Sequence, residues 1–196
     1  MYILHPQWLA KHAIIDQGME VGIETNLAQP GFRFQFPRHK AVWSVAPNRV
    51  AIETQDFRTD CGAVVAKVLR ALPETPLFAL GNNAIYQAEM SERHALAPAI
   101  RDFPWPESPN EGETVGQTTL HAGLKRAEHE VTNLQIAFRE DTIELACNVH
   151  TKLADRADAN PAAIAAAERF FEDRSYSKTL AQHFFGTSIN HGPDNA

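Results

Sequence analysis

The feature that most limits the fold is a strict alternation of apolar and polar residues in separate runs. In the run 32–36, "FRFQF", the three phenylalanines point to one side, and Arg33 and Gln35 point to the other. The later run 130–151 has the same period, with its large apolar residues at every second position. A period of two is typical of a half-buried β-strand, because successive side chains point to opposite faces. The sequence therefore predicts an antiparallel sheet with one apolar face.

Turn-forming residues divide two of the β-rich runs into hairpins. The run 40–56 carries Ala46-Pro47-Asn48 between two stretches rich in β-branched and aromatic residues. The run 130–151 is predicted to turn at Glu140-Asp141. Single strands are predicted at 18–25, 32–36, 75–89 and 114–125. Together these runs give about eight strands, within the usual size range of a sheet.

Three helices are predicted from apolar stripes and from capping residues. The segment 60–74 begins at Asp60, which can cap a helix, and its apolar residues recur at helical spacing. The segment 158–174 has a candidate cap at Asn160 and is rich in alanine, which favours helix. A shorter helix is predicted at 175–186. We expect the apolar stripes of the first two helices to cover the apolar sides of the two hairpins.

The strands and helices together indicate an α+β fold, in which the helices pack on one face of an antiparallel sheet. We predict one domain over residues 1–186 and a disordered tail over 187–196. The order strand, strand, hairpin, helix occurs in both 18–74 and 75–186, although the residues themselves match poorly. This repeated order is the evidence for an internal duplication. The proline-rich loop 103–112 is predicted to link the related parts.

Composition argues against several functions. The formal net charge is −6, and no cluster of Lys and Arg is longer than two residues, so nucleic-acid binding is not expected. No run of about 18 apolar residues is present, so a membrane span is not expected either. The first 16 residues are too interrupted by polar residues for a signal peptide. Cys61 and Cys147 are therefore predicted to be free thiols of a soluble, cytoplasmic protein.

The step Gly81-Asn82-Asn83 interrupts the predicted strand 75–89 and allows two interpretations. Glycine permits a ligand to approach the backbone, and two carboxamides offer donors and acceptors, so the step can form a ligand-binding notch. Glycine and asparagine also tolerate the positive φ that a β-bulge requires. We predict the bulge, which would bend a long central strand.

His121 and His150 are predicted to lie on the polar side of the sheet, together with Asn148, Gln135 and Glu144. Such side chains can bind a small ligand or transfer a proton. The alternative is the ordinary solvated face of an antiparallel sheet. The sequence has no H-E-x-x-H, C-x-x-C or nucleophile motif, so no metal, cofactor or catalytic residue is predicted. The candidate ligand-binding residues are Asn82, His121, Asn148 and His150.

These observations favour a non-catalytic protein that acts through protein contacts, as an interaction or assembly component. An open sheet must protect its edges, and self-association is one means, so we expect a homodimer formed through a sheet edge or the polar side. The alternative is a small-ligand-binding protein or an enzyme with a polar pocket between the sheet and a helix. Phe103 and Trp105 of the loop 103–112 either hold this connector on the core or dock a partner.

Overall fold

The computed structural model describes four parts of the chain, residues 4–25, 31–89, 118–138 and 142–185. The predicted loop 103–112, the predicted domain end at residue 186 and the predicted tail 187–196 lie outside the described residues. The described residues divide into two compact units. The first unit holds the residues up to Phe78 together with Leu153–Phe171, and the second holds those from Ala79 to Lys152 and from Glu172 onward.

The first unit consists, within the described residues, of a four-stranded sheet, three α-helices and one turn of 3-10 helix, Pro37–His39. Its other elements in chain order are α1 (Pro6–Lys11), β1 (Gly22–Thr25), β2 (Phe32–Phe36), β3 (Ala41–Ala46), β4 (Arg49–Thr54), α2 (Cys61–Ala71) and α3 (Ala159–Glu168). The sheet has the order β1-β2-β3-β4, and every neighbouring pair is antiparallel. The predicted strand 32–36 and the predicted hairpin 40–56 are confirmed.

The phenylalanines of β2 form the centre of the first core, as their alternation predicts. Phe34 and Phe36 are buried, and Trp43 of the neighbouring strand β3 is opposite Phe34. Leu9 of α1 and Val68 of α2 belong to the same buried cluster. Full burial of one such side chain stabilises the fold by about 1.5–3 kcal/mol, so this cluster holds the two helices on the sheet.

Small residues allow α2 and α3 to pack closely. Gly62 lies where a Cβ would be only 2.0 Å from the carbonyl oxygen of Ala167. Ala66 of α2 and Ala163 of α3 are fully buried. Arg70 of α2 and Glu168 of α3 form an ion pair between the same two helices. The α2–α3 contact therefore depends on short side chains that let the two backbones approach each other.

The helix ends confirm one predicted cap and correct another. Asp60 accepts a hydrogen bond from the backbone N–H of Ala63 at 2.8 Å and caps α2, as predicted. Asn160 does not cap α3, whose N-cap residue is Asp158. Instead, Nδ2 of Asn160 donates a hydrogen bond to the carbonyl oxygen of Leu69 at 3.3 Å. Asn160 therefore adds a second donor to a carbonyl group at the C-terminal end of α2, which also accepts from the backbone N–H of Leu72.

The second unit consists, within the described residues, of a four-stranded sheet and one helix. Its elements are β5 (Ala79–Glu89), β6 (Thr118–Ala127), β7 (Glu130–Phe138), β8 (Thr142–Lys152) and α4 (Phe170–Phe185). The first two residues of α4 are counted with the first unit. The sheet has the order β5-β8-β7-β6, and every neighbouring pair is antiparallel.

The helix α4 covers one side of the second sheet. Leu145 and Cys147 of β8 point to this side and are buried, and Ala181 and Phe185 of α4 belong to the same cluster. The predicted cover by the helix 158–174 is wrong for this sheet, because α3 packs against α2 instead. An alanine-rich helix has small side chains on every side, so its pattern does not identify its partner.

The α+β class with antiparallel strands is confirmed. The eight described strands form two four-stranded sheets, whereas we expected one continuous sheet. In the described part of the sheet, the predicted central strand 75–89 is an outer strand, β5. The predicted helix 158–174 is interrupted at Arg169, after which α4 begins at Phe170. The two sheets differ in strand order, and the internal duplication stays a prediction.

Replacing Gly62 by alanine is expected to destabilise the protein by about 1–3 kcal/mol. Alanine gains about 1 kcal/mol of helix propensity over glycine, but its Cβ would meet the carbonyl oxygen of Ala167, a backbone atom that cannot turn aside. Urea unfolding followed by circular dichroism measures the change. Gly123→Ala is the control, because the nearest atom to its new Cβ is Val131 Cγ1 at 3.8 Å. Equal stability of the two variants would contradict a close α2–α3 contact.

Candidate functional site

A row of three asparagines crosses the side of the second sheet that is turned away from α4, which we call the asparagine side. Asn83 of β5 is opposite Asn148 of β8, and Asn148 is opposite Asn133 of β7. Nδ2 of Asn148 donates a hydrogen bond to Oδ1 of Asn83 at 2.6 Å. Nδ2 of Asn133 donates to Oδ1 of Asn148 at 3.4 Å. The chemistry that this row offers is hydrogen bonding by neutral carboxamides.

The asparagine row explains Gly81 better than a bulge does. The pairing of β5 with β8 has no register shift along the whole of β5, so the predicted bulge at 81–83 is wrong. A Cβ on Gly81 would lie 2.6 Å from Nδ2 of Asn148. The glycine therefore provides the space in which the Asn148 carboxamide reaches Asn83. Asn83 in turn donates from Nδ2 to the carbonyl oxygen of Gly81 at 3.5 Å.

The four predicted ligand-binding residues lie on both sides of the sheet. His121, Asn148 and His150 lie on the asparagine side, as predicted from the alternation, whereas Asn82 lies on the side that faces α4. His121 lies on β6, and His150 lies on β8, two strands away. Through β7, the strand register places His121 level with Ala146 of β8, which is four residues from His150. This offset corresponds to about 10 Å across the sheet and about 14 Å along it, so the histidines cannot share one small ligand atom. The structure therefore does not bring the four residues into one site.

The side of the second sheet that faces α4, which we call the helix side, holds a buried carboxylate. It belongs to Asp173 of α4, whose side chain is 2% exposed. Its Oδ2 accepts a hydrogen bond from Nδ2 of Asn82 at 2.7 Å, and its Oδ1 accepts one from Nη1 of Arg126 at 2.8 Å. Asn82 belongs to β5 and Arg126 to β6, the two outer strands of this sheet. A buried carboxylate is stable only when it is paired, and these donors pair it. One carboxylate thus connects both outer strands to the helix that covers the sheet.

Arg126 carries the positive charge that pairs with the carboxylate of Asp173, and it has two further partners. Its Nη1 lies 3.2 Å from the carboxylate of Glu130, and its guanidinium lies 4.5 Å from the ring centre of Tyr176. Burial alone would lower the pKa of Arg126, but the hydrogen bond to Asp173 and the charge of Glu130 outweigh it and raise that pKa. We call these residues the Asp173 cluster: Asn82, Arg126, Glu130, Asp173 and Tyr176.

Asn82 is the one member of the Asp173 cluster that is predicted from the sequence as a candidate binding residue. Arg126 and Asp173 are 47 positions apart, and no short motif connects them. One signal was present in the sequence, however. Asp173 stands in line with Ser177, Ala181 and Phe185 at intervals of four residues, and all four are buried. A charged residue on the buried stripe of a helix predicts a buried partner of opposite charge.

A second group of polar side chains lies within the same core. Cys147 is buried and hydrogen-bonded to Ser177, and burial raises the pKa of its thiol to about 11 despite that bond. Tyr86 donates its hydroxyl to the carbonyl oxygen of Arg174 at 3.1 Å. Burial and the nearby Cys147 raise the pKa of Tyr86 to about 12. Both groups are therefore neutral near pH 7, and the thiol is not activated as a nucleophile.

The whole chain matches no protein-family model, no curated protein and no solved structure. Among the described residues, no group of three or more His, Cys, Asp or Glu side chains is placed to hold a metal ion. None of the helices in the described parts combines the length and apolar composition needed to cross a membrane.

Replacing Asp173 by alanine is expected to destabilise the protein by about 3 kcal/mol, because the variant leaves Arg126 partly buried without its main partner. Asn82→Ala removes one donor to the same buried carboxylate and is expected to be destabilising by about 2 kcal/mol, because a hydrogen bond to a charged group is stronger than a neutral one. Urea unfolding measures both changes. Glu172→Ala is the matched control, since Glu172 precedes Asp173 in α4 and is exposed. An effect of Asp173→Ala no larger than that of Glu172→Ala would contradict the assigned role.

The raised pKa values of Cys147 and Tyr86 predict a loss of stability at high pH. The unfolded thiol releases its proton near its ordinary pKa of 9.0, whereas the folded thiol keeps it up to about 11. The stabilising effect of the two buried neutral groups is therefore complete below pH 9. It is lost as the pH rises toward about 11 for Cys147 and about 12 for Tyr86. Each group contributes a slope of up to about 1.4 kcal/mol per pH unit.

Urea unfolding at a series of pH values checks this slope. Cys147→Ala removes the titrating thiol and is expected to show a shallower loss of stability above pH 9 than the natural protein. Tyr86→Phe keeps the buried ring, removes the hydroxyl and is expected to flatten the upper part of the curve. Identical slopes in all three proteins would show that neither group is protected from ionisation by burial.

Proposed function

We propose that the protein is a non-catalytic interaction or assembly component, which binds its partner by adding a strand to the outer edge of β5. β5 has 11 residues, and in the described sheet it pairs on one side, with β8. The other side of such a strand presents backbone N–H and C=O groups that can pair with a strand of another chain. The observation that carries the proposal is Ile85, which lies in the middle of β5 and is 61% exposed.

The other outer strands of the two described sheets are less suited to pairing. β1 has only four residues. β4 carries Arg49 and Glu53, and β6 carries Lys125 and Arg126 and has a register shift after Lys125. Short length, charge and bulges are the means by which proteins protect sheet edges. β5 lacks these features along most of its length, since its single charged residue is Glu89, at its end.

An added strand would contribute affinity in two ways. Each new backbone hydrogen bond contributes a net stabilisation of about 0.5–1.5 kcal/mol. Burial of a large apolar side chain such as Ile85 contributes up to about 1.5–3 kcal/mol. The asparagine row holds β5 in register with β8 through Asn83 and Asn148, so the edge is already extended before a partner binds. Such preorganisation lowers the entropy loss on association.

The state of the two cysteines supports a cytoplasmic site of action. Cys61 and Cys147 form no disulfide, and both are buried. Free buried thiols are usual in reducing compartments, in which structural disulfides are rare. A strand that binds to β5 would then come from a chain in the same compartment.

A small-ligand-binding protein or enzyme is the second candidate function, favoured by one observation on the helix side. Thr132 of β7 is fully buried, and its Oγ1 has no hydrogen-bond partner in the described part of the chain. A buried polar atom of this kind is a place where a small polar ligand could bind between the sheet and α4. A thermal-shift screen of polar metabolites and metal ions tests this function. Uniformly flat responses would contradict it.

Replacing Ile85 by lysine is expected to weaken association through β5 about tenfold or more, because a charge would replace an apolar contact in the interface. Light scattering after size exclusion measures self-association, and co-purification measures binding of a different protein. Leu120→Lys is the matched control, since Leu120 is an exposed leucine on the other outer strand of this sheet. A monomeric protein with no partner that depends on Ile85 would contradict the proposal.

A further inference from the structure

We infer that the strand added to β5 belongs to a second copy of this chain, paired antiparallel with Ile85 opposite Ile85. This inference rests on the proposed function and names its partner. A strand can pair with its own copy about a twofold axis when residues at equal distances from the centre are compatible. β5 fulfils this condition on both of its sides when the centre is Ile85.

The asparagine side of this strand pair is self-complementary. The two Ile85 side chains face each other, so each exposed apolar side chain is shielded by its copy. Two positions from the centre, Asn83 of one copy is opposite Gln87 of the other, and the two carboxamides can exchange hydrogen bonds. At the end of the overlap, Glu89 is opposite Gly81, which has no side chain to crowd it.

The helix side of the same pair combines small residues with larger ones. Ala84 of one copy is opposite Tyr86 of the other, and Ala88 is opposite Asn82. A centre one residue away, at Ala84, would place Ile85 opposite Asn83 and would leave the apolar side chain beside a carboxamide. The centre at Ile85 therefore gives the better match of apolar with apolar and polar with polar residues.

Charge favours the antiparallel arrangement. Glu89 is the single charged residue of β5. In an antiparallel pair the two Glu89 side chains lie at opposite ends of the overlap, about 27 Å apart at 3.4 Å per residue. A parallel pair in register would place the two carboxylates side by side, which is destabilising. When two copies of β5 pair antiparallel, no residues of like charge therefore lie opposite each other.

Symmetry favours β5 with β5 over β5 with β6. Pairing of the same edge on both copies closes after two chains, whereas pairing of β5 with β6 leaves free edges and leads to open assemblies. β6 is also protected by Lys125, Arg126 and its register shift. The resulting dimer has one continuous sheet of eight strands, in the order β6-β7-β8-β5 and then the same strands of the second copy in reverse.

Disulfide trapping tests the partner. Opposed Cα atoms of antiparallel strands are about 4.5–5.5 Å apart, which is within the range that a disulfide bridges. Ile85→Cys is expected to form a linked dimer under mild oxidation at least tenfold faster than Leu120→Cys, in which the cysteine lies on β6. Cys61 and Cys147 are buried and are kept in every variant.

Two further variants test the register. Asn83→Cys and Gln87→Cys are each expected to stay unlinked when oxidised alone, because neither position meets itself across the twofold axis. An equal mixture of the two variants, one of them carrying a size tag, is expected to give the mixed dimer. Linking of Ile85→Cys no faster than that of Leu120→Cys, or absence of the mixed dimer, would overturn the inference.

Failure of this inference and failure of the proposed function give different results. If Ile85→Cys does not link to itself, but Ile85→Lys still loses a co-purifying protein, β5 binds a strand of a different protein and the inference alone is wrong. If Ile85→Cys does not link and Ile85→Lys changes no association, both are wrong. Rapid linking together with the mixed dimer supports both.

Discussion

The constraint on which the second unit depends is that its one described helix covers a single side of the sheet. Every strand must therefore place its apolar residues on the side that faces the helix and its polar residues mostly on the other side. In β8, buried residues alternate with partly exposed ones without interruption from Thr142 to Thr151. The hydrophobic contribution comes from the side that faces α4, where Leu145 and Cys147 are buried. Most residues of the opposite side are polar, and three of them, Asn83, Asn148 and Asn133, are hydrogen-bonded to one another in a row across three strands.

This separation gives two neighbouring asparagines different roles. Asn82 points toward α4 and donates to the buried carboxylate of Asp173, whereas Asn83 points away and accepts from Asn148. Neither arrangement needs a distorted backbone, because the ladder between β5 and β8 has no register shift. Gly81 leaves space for the Asn148 side chain, and its backbone does not adopt a positive φ. The two asparagines thus hold the same strand from both of its sides.

The features that could be predicted from the sequence are local elements, namely strands and a helix cap. The features that could not be predicted are contacts between segments that are distant in the sequence. Alternation located most strands, and Asp60 marked the start of α2, because these signals act within a few residues. Neither the split into two sheets nor the outer position of β5 has a local signal, since register and strand order depend on other strands. The packing of α3 on α2 depends on Gly62, whose role is visible only beside a second backbone. The Asp173 cluster likewise joins segments that no sequence spacing connects.

The Asp173 cluster also explains how an outer strand can be both long and ordered. An edge strand is hydrogen-bonded on one side, so its ends tend to open and its opening costs little free energy. In this sheet, Asn82 of β5 and Arg126 of β6 bond to the two oxygens of the same buried carboxylate, so opening either outer strand would leave a desolvated charge with one partner fewer. The free energy of breaking such a pair is larger than that of an ordinary hydrogen bond. The contacts that keep the β5 edge ordered therefore lie on the side of the sheet that faces α4, whereas Ile85 lies on the asparagine side. Any strand addition to β5 depends on this order.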